Sequence, residues 1–452
     1  MSGKEAKLLA FPVYPGVTAL DLVGPLTVLR NMIRTPYRTV VVGERAEELA
    51  TDTPLGLVPA ATFAEVPDPF AVFVPGGGPA TLTAMQDQAL LGYVRSAAAS
   101  AEFVGATGNG ALLLGAAGLL EGRPAAIQWA YREHLENLGA TWAPERWVED
   151  GTILTAAGGT AGIDMTLALR ARLTSLASAR MAQLFIEYDP EPPFGRLTPA
   201  DDELAGIVRT TQHRATTGAD ATDERLIAFV LYPGLTVLDL VGPLQVLTAL
   251  EKLSPGYRTV VVWARREPVP TDVGVSVTPD RTFDEVPHPA IVVVPGGSVP
   301  TVRAMSDPLV RDYVRSAAAS ADLVTSVCTG SLLLGAVGLL EGRQATTNWF
   351  YSGILENLGA SYQRRRWVDD GRVIMSAGVS AGIDMALHLA ARLTDETTAR
   401  RVQRAIDYDP QPPFGGIDYD HIKPLPRAMR GTIGLAAPLV AARPKRLTRA
   451  GR

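Results

Sequence analysis

Apolar residues run along this chain in short, nearly unbroken stretches, separated by longer segments of helical period. In the second half the stretches are Leu226–Leu231, Tyr257–Trp263, Ile291–Val294 and Leu323–Val327. Continuous apolar character, rather than alternation, is what strands buried on both faces require. Between or after them fall segments such as Leu309–Ala321 and Ala381–Leu393, which the pattern predicts as helices. Strand and helix in alternation predict an α/β sandwich with a mainly parallel sheet. Ligands of such sheets sit at the carboxyl ends of the strands. Cys328 stands at one such end.

The same pattern occurs twice. FPVYPGVTALDLVGPLTVL (Phe11–Leu29) returns as FVLYPGLTVLDLVGPLQVL (Phe229–Leu247), and YVRSAAASAEFV (Tyr93–Val104) as YVRSAAASADLV (Tyr313–Val324). Even the closing segments agree, EYDPEPPFG (Glu187–Gly195) against DYDPQPPFG (Asp407–Gly415). The offset is 218 residues at the start and 220 from Tyr37 onward, so a single two-residue indel separates the copies. A period this long means tandem globular domains rather than a solenoid. The boundaries expected are a first domain over 1–195, a linker over 196–225 with one helical turn around Glu203–Arg209, a second domain over 226–415, and a basic tail over 416–452.

Composition narrows the function classes. The chain is 47% hydrophobic and 20% charged with a net charge of −5, an ordinary balance for a folded soluble protein. It offers no electrostatic reason to bind nucleic acid or an anionic membrane. One cysteine in 452 residues cannot form an intrachain disulfide, which points to a reducing, cytoplasmic setting. The five histidines are scattered without metal-ligand spacing, so neither a metal nor another cofactor is expected.

The candidate chemistry gathers in the second copy. Val327–Cys328–Thr329–Gly330 is a tight turn from a strand into a helix, the device by which hydrolytic folds expose a nucleophile. A thiol facing a helix N-terminus is expected to be partly exposed and more acidic than a free cysteine. The first copy has Gly108 at this place, and glycine tolerates an awkward backbone best. It keeps the turn and loses the chemistry. Pro295–Gly296–Gly297 ends the strand before it and can aim backbone N–H groups into a pocket. Asp239, set in the apolar stretch LDLVGP, is either a general acid or a structural helix N-cap. Thr347, Asn348 and Trp349 could line the pocket; Trp349 suits a core equally well.

Taken together, YPGLTVLDLVGP, VVPGG, TSVCTGSLLLGAVGLLEGRQATT, SAGIDMAL and YDPQPPF resemble the PfpI/ThiJ (class I glutamine amidotransferase-like) superfamily, and within it the isocyanide hydratase branch. The resemblance spans nearly all of both copies. It implies two tandem flavodoxin-like sandwiches that pack as an intramolecular counterpart of the family's dimer, with further oligomerisation open. It also implies Cys328 as nucleophile, Asp239 as neighbouring acid, Thr329 as adjacent hydroxyl, and the N–H groups of Gly297 and Thr329 as an oxyanion-type pocket. Two positions depart from the pattern: Asn348 stands where the family often has histidine, and Asn109 stands beside Gly108 in the first copy. The activity implied is a cofactor-free, cysteine-dependent hydration of a small isocyanide to an N-substituted formamide. The same parts suit a glyoxalase- or deglycase-like reaction on an α-oxoaldehyde, a re-purposed enzyme of secondary metabolism or, outside catalysis, a ligand or redox sensor.

Overall fold

The computed structural model describes residues 6–30, 32, 35–197 and 224–419. Most of the expected linker with its helical turn, and nearly all of the tail, fall outside those residues. Each copy is built on a seven-stranded sheet. In the second copy the order runs Arg281–Thr282, Tyr257–Trp263, Arg225–Val230, Ile291–Val294, Leu323–Val327, Val373–Ser376, Trp367–Asp370. Every neighbouring pair is parallel except the last, which is a hairpin. The first copy repeats this order, and its register agrees as well: Lys7 faces Tyr37 as Arg225 faces Tyr257. The central strands are buried along their whole length, which is why they read as unbroken apolar runs. Helices Pro308–Ser320 and Ala381–Leu393 form where the period placed them.

The two copies are joined by more than a linker. Strand Gly56–Val58 of the first pairs antiparallel with Ser276–Thr278 of the second, Leu57 opposite Val277, in a four-stranded sheet to which both contribute. Helix Val237–Leu253 is buried on nearly all sides over its first three turns. Such an all-round apolar helix has to be covered on both faces. Its own sheet lies on one side and helix Ala19–Leu29 of the first copy lies against it. A single apolar cluster consequently runs through both copies.

The closing segments swap ends. Gln183 donates to the carbonyl of Gly415 at 2.7 Å, and Gln403, 220 positions on, donates to that of Gly195 at 2.9 Å. The N–H of Glu191 meets Asp384 and the N–H of Gln411 meets Asp164, both at 3.1 Å. Reciprocal contacts of this kind are the signature of a twofold pair, here between two halves of one chain. No helix among the described residues is long and apolar enough to cross a membrane.

Candidate active site

Cys328 sits between strand Leu323–Val327 and helix Gly330–Ala336 with φ at +56°, in the left-handed region. The surrounding bonds hold it there. Its N–H donates to the carbonyl of Ser376 at 3.1 Å, and its own carbonyl accepts from the hydroxyls of Thr347 at 3.0 Å and Ser331 at 3.1 Å. A non-glycine residue in this region is strained, and such strain persists where the surroundings over-determine it. Gly108 repeats the geometry at φ +56°.

Asp239 lies in the first turn of helix Val237–Leu253, whose N-cap is Thr236, so the capping role open to it in the sequence is not the one it fills. It is fully buried. Oδ2 accepts the N–H of Gly296 at 3.1 Å, while Oδ1 has no donor among the described residues. The Cys328 thiol lies beside this carboxyl and favours its charged form. Gly296 has to be glycine for this approach, since a Cβ there would lie 2.7 Å from both Asp239 Oδ2 and the Thr329 nitrogen.

Burial pushes Asp239 up to about 7, although Arg30, reaching over from the first copy, and the Gly296 N–H both favour its charged form. Arg30 itself is ion-paired with Asp272, whose Oδ1 accepts the N–H of Val237 at the head of the helix bearing Asp239. The thiol departs from expectation. Cys328 is only 4% exposed, and burial, then the charges of Asp239 and Glu187, raise it well above the ordinary cysteine range. The Thr329 N–H pulls the other way and loses.

The Gly297 N–H is not open to the pocket as an oxyanion donor. It donates to Thr329 Oγ1 at 3.0 Å, as does Ser298 N–H at 3.0 Å, and Thr301 shares a proton with that oxygen at 2.8 Å. The Thr329 hydroxyl is therefore a strut for the Pro-Gly-Gly turn. In the first copy Asn109 does this work, its Oδ1 accepting from Gly77 at 3.0 Å, Gly78 at 3.2 Å and Thr81 at 3.0 Å. Thr347 is buried beneath the elbow rather than lining a pocket. Trp349, half-buried, opens a short 3-10 turn capped by Asn348, whose side chain accepts from Phe350 N–H.

Besides Arg30, a second site residue escaped the sequence because it belongs to the other copy. Glu187 enters from the first domain's closing segment with φ +44° and is 3% exposed. Its carboxylate accepts from Asn348 Nδ2 at 3.2 Å and Trp349 N–H at 3.4 Å, and burial raises it to about 8. Asn348 thus faces a carboxyl of the partner domain. The available signal was the acidic residue at the head of both YDP segments, Glu187 and Asp407.

A parallel α/β sandwich with its cysteine in a strained strand-to-helix elbow beside a buried carboxyl defines a class. The chain belongs to the DJ-1/PfpI family, whose model matches residues 7–172 and again 225–392. It is 44% identical over 188 residues to the isonitrile hydratase of Pseudomonas putida, covering 42% of this chain and 80% of that one. The HTH-type transcriptional regulator CdhR of Pseudomonas aeruginosa is 30% identical over 36% of this chain and 49% of its own length. Among solved structures, a ThiJ/PfpI family protein from Pseudomonas syringae matches 51% of this chain and 96% of its own at 34% identity, with a TM-score of 0.43.

Proposed function

We propose that the second copy hydrates a small isocyanide to the N-substituted formamide, with Cys328 as nucleophile and Asp239 as the group that moves the proton. The observation that carries this reading is the buried thiol–carboxyl pair at the elbow; the 44% identity to an isonitrile hydratase supports the substrate class. Because burial disfavours both anions, the pair rests with the thiol neutral beside Asp239. Asp239 in its charged form takes the Sγ proton as Sγ bonds to the terminal carbon, and returns it to that carbon. The product of this step is a thioimidate, R–N=CH–S–Cys328. Water adds across C=N, the C–S bond breaks, the sulfur recovers a proton, and R–NH–CHO leaves. The sum is isocyanide plus water. No redox change occurs and no cofactor enters.

The test is formation of N-cyclohexylformamide from cyclohexyl isocyanide, with methylglyoxal as the competing substrate. Wild type is expected to turn over the isocyanide, Cys328→Ser to show no turnover above background, and Asp239→Asn to lose about 10²- to 10⁴-fold. Turnover of methylglyoxal without turnover of the isocyanide would overturn the reading.

A further inference from the structure

The cysteine-less copy holds a cavity of about 320 Å³ at the place that corresponds to the elbow site. We propose that it binds a small primary ammonium ion carrying a short apolar chain, held without covalent chemistry. This inference does not rest on the reaction assigned to the second copy.

The first argument is geometric. In the first copy the carboxyl of Asp21 has moved into the space of the missing side chain, and a Cβ on Gly108 would lie 2.0 Å from Asp21 Oδ2. The floor of the cavity is thus a carboxyl where the second copy has a thiol. Asp21 is 6% exposed and lines the cavity. So does Gln245, which comes from the second copy and is 8% exposed. Its Nε2 donates to Asp52 Oδ2 at 2.7 Å, while its Oε1 is buried with no donor among the described residues. A buried acceptor without a partner carries a desolvation cost that a donor in the cavity would remove.

The second argument is electrostatic. Asp21, Asp52 and Asp407 all line the cavity. Asp52 is occupied by the Ala19 N–H at 3.0 Å and by Gln245, and Asp407 faces Arg404 at 3.4 Å. Burial raises Asp21 to about 8, the charges of Asp52 and Asp407 add to the rise, and the Gly76 N–H is the opposing influence. Its counterpart Asp239 has Arg30 as a compensating cation. For Asp21 no cation among the described residues plays that part, and the cavity lies beside it. Lys252, at the exposed rim, leans to the Asp52 carbonyl at 3.4 Å. A ligand ammonium would bring Asp21 the charge and Gln245 the donor they lack. Leu20, Ala249, Leu253 and Ile406 provide apolar wall for a short chain, and the volume is that of a small-ligand site.

Titration calorimetry of the full-length protein with n-butylammonium chloride tests this, with 1-butanol as the neutral probe. Saturable butylammonium binding is expected in wild type and equally in Cys328→Ser, with 1-butanol at least about tenfold weaker. Asp21→Asn should weaken butylammonium by at least about tenfold and Gln245→Leu by about three- to tenfold, both measured on folded protein. Should Asp21→Asn not fold, Gln245→Leu alone decides. The proposal falls if butylammonium does not bind, if 1-butanol binds as well, if Gln245→Leu leaves affinity unchanged, or if Cys328→Ser abolishes binding.

Discussion

At Cys328 two effects oppose each other, and their sizes decide the outcome. The helix after the elbow has seven residues, Gly330–Ala336, and a helix terminus contributes about 0.3–1 kcal/mol to a nearby charge. Full burial moves a titratable group by up to about 3–5 pKa units, at about 1.4 kcal/mol each. Burial wins, and the two carboxyls add to it. With a single cysteine in the chain, iodoacetamide labelling reads this directly. Native protein should label more slowly than free cysteine at a pH near 8. Asp239→Asn, by removing a repelling charge, should label faster while turning over less. The catalytic pH profile should rise through about 7, because Asp239 must be ionised to take the thiol proton. Arg30 favours that ionised form, so Arg30→Gln should move the rise to higher pH, measured as the midpoint of kcat/KM.

The elbow as an element was legible from a strand-like run giving way to a small-residue helix. Its backbone angle was legible only through the first copy, where Gly108 replaces Cys328 and both adopt φ +56°. A left-handed residue other than glycine costs about 1 kcal/mol or more. Cys328→Gly is therefore expected to unfold at higher urea concentration than Cys328→Ala, by about 1 kcal/mol, although glycine is usually the less stabilising of the two. Equal midpoints would mean that the elbow is not strained. The reverse substitution, Gly108→Cys, places a Cβ 2.0 Å from Asp21 Oδ2 and should destabilise the first copy without creating a second reactive site.

For the whole molecule, the pairing of the copies predicts that covalent continuity is dispensable once they are folded. A protease site introduced within residues 198–223 should give fragments that co-elute by gel filtration and keep their activity, because strand pairing, swapped closing segments and a shared core hold them. The second domain alone should lose activity, since Glu187 and Arg30 leave with the first. The buried carboxyls also give stability a pH slope. Asp21 and Glu187 rise to about 8, from 3.8 and 4.5 respectively. The folded state therefore keeps protons that the unfolded chain releases, and stability falls as pH climbs from about 4 to about 8. The Tm should be higher near pH 6 than near pH 8.5, and Asp21→Asn with Glu187→Gln should flatten that slope.

The sequence by itself determined the duplication, the parallel α/β layers and the elbow, because burial on both faces writes unbroken apolar runs and because one copy explains the other. Only the resemblance of their motifs to a known family placed Asp239 beside Cys328 and Thr329, since Asp239 stands in a helix far upstream of the elbow. The tertiary structure decided everything that depends on the partner copy: Glu187 against Asn348, Arg30 beside Asp239, Gln245 in the cavity of the first domain. Glu187 lies 161 positions from Asn348 and Gln245 lies 193 from Asp52, so no local spacing announces them. It also decided the acidity of the thiol, since a helix terminus can be read from neighbouring residues, whereas the extent of burial is a property of all the chain packed around it.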